Sequence, residues 1–272
     1  DIAARGYFDN EEVETVPCHT FKDVFKAIDK DDNLLGIIAI ENTIAGSLLQ
    51  NHNLLRESGC LIIGEYKLRI SHQLAVLPGQ KLEEITEVCS HPIALMQCED
   101  FLDAHKNLRA VETDDTALSA KEIAENNITG RAAICSRLAA ELYGLEILAE
   151  GIETNKRNFT RFLIIAKPDL AYKMNRQMVL NKSTLVFTLP HEEGSLSKVL
   201  SVLSFYHMNL TKIQSLPIIG REWEYQFYIN LTFDDYERYR QSLDAIRPLT
   251  NEFQILGEYR EGKTPEDPLV AP

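Results

Sequence analysis

Over its first 167 residues the chain repeats one rhythm: a short run rich in aliphatic and β-branched residues, then a longer amphipathic stretch. The runs are LLGIIAI (34–40), YKLRISHQLAVL (66–77), EVCSH (87–91), LRAVE (108–112), AAICS (132–136) and RFLIIA (161–166). Between them lie FKDVFKAIDK, behind Thr20, and PIALMQCEDFLDAH, whose Pro92 takes the first helical position, where a missing N–H does no harm. Strands alternating with helices predict an α/β fold with an open sheet. Such sheets bind ligands in the crevice beyond their strand ends, so polar clusters at those ends are the candidates for chemistry.

A second rhythm follows a polar stretch, KPDLAYKMNRQMVLNKS (167–183), which reads as a linker centred on 171–182. Strand STLVFTL, helix SLSKVLSVLSFY, strand LTKIQSLPI, a turn at Gly220, strand EYQFYINLTF, helix DDYERYRQSLDAI and strand EFQILGEY spell a ferredoxin-like βαββαβ unit over 183–260. The length of 272 residues suits two domains. The tail, 261–272, is expected to be disordered. At the other end DIAARGYF reads as the end of a helix, so a leading strand and tight turn are expected ahead of it.

Composition narrows the function. A formal net charge of −13 argues against a nucleic-acid backbone or an anionic membrane surface as main partner. No run approaches the ~18 apolar residues of a spanning helix, and the start lacks a signal-peptide layout. The five cysteines are scattered without a CxxC, which suggests neither a disulfide framework nor a zinc site and fits a reducing cytoplasm. There is no Gly-rich phosphate loop, no metal-spaced His/Cys set and no nucleophile elbow, so no cofactor and no metal are expected.

Five polar clusters stand out. In NFTRFLII (158–165) Thr160 and Arg161 lie side by side at the mouth of a buried strand, and a buried guanidinium needs an anionic partner or a cleft. Glu41, Asn42 and Thr43 follow the first strand, where helix capping is the simpler account. Ser90 and His91 precede Pro92, with Gln97 one turn on; capping also explains Ser90. Asp114 and Asp115 stand at a helix start, which the helix dipole favours without any catalysis. Ser71 and His72 in ISHQL lie within a strand, where a satisfied core histidine is the plainer reading.

Taken in order, ENTIAGSLLQNHNLL, ISHQL, SHPIALMQCEDFL, DDTALSA, AAICSRLAAELYGLEILAEGI and NFTRFLII resemble prephenate dehydratase, from residue 1 to about 170, and the second half resembles a regulatory ACT domain. The resemblance implies two α/β lobes of type II periplasmic-binding-protein-like form with a cleft between them. It implies cofactor-free conversion of prephenate to phenylpyruvate, water and carbon dioxide in phenylalanine synthesis, with feedback by L-phenylalanine and a homodimer or homotetramer. Arogenate dehydratase and a non-catalytic amino-acid sensor are the rivals.

By this resemblance Thr160 hydrogen-bonds the departing hydroxyl, with Glu41 or Asp114 open as sources of a proton. Arg161 would hold a substrate carboxylate, unless an internal carboxylate claims it. Asn42, Thr43, Ser90, Gln97, Asp114 and Phe162 would line the substrate, Thr43 standing where the family more often has Ser. Gly194, Ser195 and Leu196 with Gln214, Ser215, Leu216 and Pro217 would enclose the effector. The family's opening Gly-rich turn is missing, its G-A-L is GSL (194–196) and its E-S-R-P is QSLP (214–217). Since every cleft motif precedes Lys173, the two halves are expected to be separable.

Overall fold

The structure, a computed structural model, describes residues 1–9, 12–218, 220–222 and 224–263. The first lobe contains α1 (Ile2–Tyr7), α2 (Phe21–Lys30), β1 (Gly36–Asn42), β2 (Gly46–Ser47), α3 (Leu49–Ser58) and β3 (Leu61–Arg69). Thr20 starts α2 by accepting from Asp23 N, and the helix buries Phe25 and Ile28. The second lobe holds β4 (Gln73–Val76), β5 (Glu87–Ser90), α4 (Pro92–Gln97), α5 (Glu99–Ala104), β6 (Arg109–Glu112), α6 (Thr116–Glu125), β7 (Arg131–Cys135), α7 (Arg137–Leu142) and β8 (Glu146–Ala149). The chain then returns to the first lobe as β9 (Phe159–Ala166) and α8 (Pro168–Asn175).

The first sheet runs β2-β1-β9-β3 and the second β6-β5-β7-β4-β8. The chain therefore passes between the lobes twice, at 70–72 and at 150–158, and the two passages are stitched together. Ile70 N donates to Asn158 O, Ile152 N to His72 O, and His72 N to the buried Glu153 carboxylate at 2.9 Å. The single run expected over 66–77 is thus two strands in two sheets, because Ser71 and His72 form the passage. The expected long helix after Pro92 breaks at Cys98, whose φ of −109° leaves the helical range while its thiol is fully buried.

The C-terminal half comprises β10 (Lys182–Thr188), α9 (Ser195–Phe205), β11 (Asn209–Pro217), β12 (Tyr225–Thr232), α10 (Tyr236–Ile246) and β13 (Asn251–Tyr259), with an antiparallel sheet β11-β12-β10-β13. This is the β-α-β-β-α-β order with the two outer strands flanking the first and third, as the split motif requires. The stretch expected to be a linker is ordered: α8 buries Ala171 against the first sheet, and β10 begins at Lys182. Of the expected tail, Glu261 N donates to Asn181 Oδ1 and Gly262 N to Glu65 Oε1, while 264–272 lie outside the described residues. No helix among the described residues is long and apolar enough to cross a membrane.

The two halves share one core. Ile38, Ile62, Leu163 and Ile165 of the first sheet pack in a single buried cluster with Val186, Leu216, Tyr228 and Leu256 of the last. Strand β13 lies so close to β3 that a methyl group at Gly257 would sit 2.4 Å from Ile62 O. At the edge of this seam the Arg161 guanidinium is buried among partners from both halves. Its Nη1 donates to Glu65 Oε2 at 3.0 Å, and its Nε lies 2.6 Å from Glu41 Oε1 in an ion pair off the N–H axis. Asn230, with its amide oxygen turned toward the guanidinium, accepts from Nη1 and Nη2 at 2.9 and 2.8 Å. Lys182 of β10 donates to Glu65 at 2.8 Å and reaches Glu261, and Lys212 of β11 donates to Glu41. Glu41, Glu65 and Glu261 thus face Arg161, Lys182 and Lys212, with Lys67 also 4.0 Å from Glu261.

Two predictions follow from this seam. Burial works to raise the Glu41 and Glu65 carboxyls, yet Arg161 with Lys212 and Lys182 outweighs it and holds both below the ordinary carboxylate range. A depressed folded-state value means stability that is present above the unfolded pKa of about 4.3 and is lost as pH falls through that range. Arg161→Ala removes the cation the two acids share, leaving Glu41 only Lys212 and Glu65 only Lys182 as ionic partners, and is expected to cost about 3–5 kcal/mol at neutral pH; denaturant titration from pH 7 to 3 should show a shallower acid dependence than in the wild type. Secondly, a shared core should melt as one unit, so calorimetry of the whole chain should give a single transition, and a chain ending at Lys173 should aggregate. Two resolved transitions, or a soluble folded truncate, would contradict this and restore the separable halves expected from sequence.

Candidate active site

Between the lobes lies a cleft of about 1100 Å³. Its floor is formed by the ends of β1 and β9 and by both interlobe passages, and its far wall by the starts of α4, α6 and α7. These starts are set by local capping: His91 Nδ1 accepts from Ile93 N, Asp115 Oδ1 from Ala117 N and Leu118 N, and Ser136 Oγ from Ala139 N. The positive ends of three helix dipoles meet on that wall, one of them already capped by the Asp115 carboxylate.

On the floor the sheet register does the positioning. Asn42 is paired with Thr160 and Glu41 with Arg161 across antiparallel β1 and β9. Because side chains alternate along a strand, the Asn42–Thr160 pair faces the cleft and the Glu41–Arg161 pair faces the seam with the C-terminal half. Asn42 Oδ1 accepts from Ile44 N at 2.9 Å and Ala45 N at 2.8 Å, which fixes the amide with Nδ2 toward β9. That Nδ2 lies 3.0 Å from Thr160 Oγ1, 2.8 Å from Asn158 Oδ1 and 3.2 Å from Phe159 O. Since Thr160 Oγ1 accepts from Asn42, its own O–H is left to donate into the cleft.

Gln97 closes the arrangement from the second lobe. Its Oε1 is 2.9 Å from His72 Nε2 and its Nε2 is 3.4 Å from Asn42 Oδ1, so a polar chain runs His72, Gln97, Asn42, Thr160. The Gln97 oxygen calls for a proton on His72 Nε2. Burial pulls the His72 pKa down despite that bond and the nearby Glu153 carboxylate, so the ring is neutral near pH 7. The cleft cations are Arg69, Lys156 and Arg137. Arg69 Nη2 is 3.3 Å from Glu153 Oε1, Lys156 Nζ donates to Glu153 O and Gly151 O, and Arg137 Nη2 pairs with Glu150 at 2.6 Å.

Several residues chosen from the sequence stand elsewhere. Arg161 and Glu41 point away from the cleft into the charged seam, so the guanidinium meets internal carboxylates rather than a ligand, and Glu41, ionised between two cations, has no proton to give. Thr43 is spent on the backbone, donating to Arg157 O and accepting from Phe159 N. Ser90 is fully buried and donates to Ile134 O at 2.7 Å. Asp114 is exposed and outside the cleft, which its neighbour Asp115 lines instead. Phe162 is not among the cleft residues; it lies further along β9, beside Tyr66 of β3 and Ala39 of β1. Thr160, Asn42 and Gln97 do line the cleft. Sequence reasoning missed Ser47, Arg69, Arg137 and Lys156; only the ordered motifs around them carried any signal.

In the C-terminal half, β10 and β11 both run antiparallel to β12, so the start of α9 and the end of β11 lie at one end of the sheet. Gly194 enters α9 with φ +77°, Ser195 Oγ donates to Glu192 O, and Leu196 borders a shallow groove with Leu200 and Ser204. Gln214 Nε2 donates to Ser215 O, and Pro217 ends the strand. Leu216 is buried in the seam, which is why an apolar residue stands there.

Comparison with known proteins agrees with this architecture. The chain is 36% identical over 269 residues to arogenate dehydratase 1 of Petunia hybrida, covering 93% of this chain. It spans only 62–65% of the length of such plant arogenate dehydratases. Among solved structures, one described as GqqA, a novel type of quorum quenching acylase, superposes with a TM-score of 0.82 at 30% identity, covering 96% of this chain and 93% of the other. Prephenate dehydratase of Arthrobacter aurescens in complex with L-Phe superposes with a TM-score of 0.76 at 26% identity, covering 90% and 80%. The sequence model of prephenate dehydratase matches residues 1–170, from α1 through both lobes to the start of α8, and on that match this chain belongs to the prephenate dehydratase family.

Proposed function

We propose that the chain dehydrates prephenate to phenylpyruvate in the cleft between its two α/β lobes, which we read as type II periplasmic-binding-protein-like. The observation that carries this is the Thr160 hydroxyl, held as an acceptor by Asn42 and so directed as a donor into the cleft. Loss of carbon dioxide supplies an electron pair to the ring, the pair moves through the diene, and the hydroxyl at the far carbon leaves with the C–O electron pair as hydroxide, which takes a proton from solvent to become water, as the ring becomes aromatic. Negative charge develops on that oxygen, and a donor fixed in advance stabilises it most where it is greatest. Neither Glu41 nor Asp114 is placed to add a proton, so Thr160 acts as a hydrogen-bond donor rather than a relay for an acid. Arg69, Lys156 and Arg137, which in this structure pair with Glu153 and Glu150, are the cations at hand for two substrate carboxylates.

Arogenate is the second reading, favoured by the relatives named arogenate dehydratase and by Asp115, an acid at the cleft able to pair with an ammonium. We read the C-terminal unit as an ACT domain that binds L-phenylalanine between the 194–196 and 214–217 segments, in a homodimer or homotetramer.

Purified protein is expected to convert prephenate to phenylpyruvate, followed by absorbance in alkali, with arogenate assayed in parallel. Thr160→Ala should lower kcat by about 10²-fold with a native melting curve, and Thr160→Ser should keep most of it; equal turnover in a folded Thr160→Ala would remove the assignment. Calorimetric titration with L-phenylalanine should show binding that Gln214→Glu strengthens, since a full charge suits the ligand ammonium better than an amide oxygen. No heat at millimolar ligand would end the regulatory reading.

A further inference from the structure

Lys212 belongs to the C-terminal sheet, yet its ammonium passes through the seam to the back of the cleft floor. It is nearly buried, with its side chain 11% exposed. Its two partners are Glu41, by a charge-assisted hydrogen bond, and Ser47 Oγ at 2.9 Å. These are no arbitrary pair. Glu41 of β1 is the register partner of Ser47 of β2, and the next pair inward is Asn42 with Gly46. Lys212 therefore clamps both legs of the short hairpin whose tip supplies Ile44 N and Ala45 N to the Asn42 amide.

We infer that Lys212 is a positioning residue for the cleft: by fixing the Glu41–Ser47 rung it holds the hairpin that orients Asn42, and through Asn42 it directs the Thr160 hydroxyl. This rests on the dehydratase reading only for its effect on turnover; the structural claim stands without it. Apart from this clamp the first leg is anchored at Thr43, whose N donates to Phe159 O and whose hydroxyl bridges Arg157 O and Phe159 N, and the second leg by Leu48 N donating to Ile40 O. Strand β2 is two residues long and lies at the sheet edge, and Gly46 turns with φ +83°. Thr43 to Gly46 are exposed, so little packing would restore the tip once the rung is released. Because β11 carries Lys212 five residues before Pro217, any displacement of that strand is felt at the hairpin.

The test compares the full chain with Lys212→Met, which keeps length without charge, and Lys212→Arg, which keeps charge. Amide exchange followed by NMR is expected to speed up about tenfold at Ile44 and Ala45 in Lys212→Met while the cores of both sheets stay protected. With prephenate, kcat should fall about tenfold or more while KM changes by less than about threefold, since a donor useful chiefly in the transition state has been misaligned. Lys212→Arg should recover most of both. Unchanged exchange at the two amides, or a uniform rise over the whole chain, overturns the inference, the latter showing Lys212 to be merely structural. If Lys212→Met does not fold, Ser47→Ala, which removes one oxygen of the clamp, should give the same local pattern, and its absence overturns the inference equally. Faster exchange at Ile44 and Ala45 in a protein that turns over neither prephenate nor arogenate would uphold the positioning role and remove the dehydratase reading instead.

Discussion

The guanidinium of Arg161 is the constraint around which the molecule is arranged. A permanent charge in an apolar seam is tolerable only if it is balanced by opposite charge and polar partners, and these come from strands distant in sequence: Glu41 from β1, Glu65 from β3 and Asn230 from β12. Satisfying it fixes β1 against β9, fixes β3 beside them, and locks the C-terminal sheet onto all three. The same requirement determines which face of β9 is which. With Arg161 turned to the seam, strand alternation sends Thr160 to the cleft.

That parity explains how much of the site the sequence disclosed. The motif Thr160-Arg161 and the pair Glu41-Asn42 were visible as polar groups at strand ends, but a linear reading treated neighbours as allies. In a strand, neighbours are opposed. One member of each pair faces ligand and the other faces structure, and only the register between β1 and β9 shows which. Ser90 and Thr43 misled for a related reason: a short hydroxyl near a strand end satisfies backbone groups as readily as it meets a ligand. Arg69, the last residue of β3, stands where one interlobe passage begins and Lys156 lies on the other, and no local pattern encodes the course of either passage.

The fold was more legible than the site. Periodicity sufficed for the α/β alternation and for the βαββαβ order, since both are local properties of residues facing a core. It failed at 66–77 and 167–183, where the decisive fact is the partner rather than the pattern. Ser71 and His72 interrupt a β-rich run because the chain changes sheets there, and α8 is helical because Ala171 has the first sheet to pack on. A polar stretch with few hydrophobic residues can still be ordered when its few find a surface.

The seam also limits how such a chain can be recombined. Regulatory units built as separate beads on a string can be exchanged between proteins by cutting the string. Here the border is written in complementary charges and in a backbone approach that only Gly257 permits. A transplanted C-terminal half would have to bring its own counterparts of Lys182, Lys212, Asn230 and Gly257, and the recipient its counterparts of Glu41, Glu65 and Arg161, so inheritance across this border is a matter of matched sets rather than interchangeable parts.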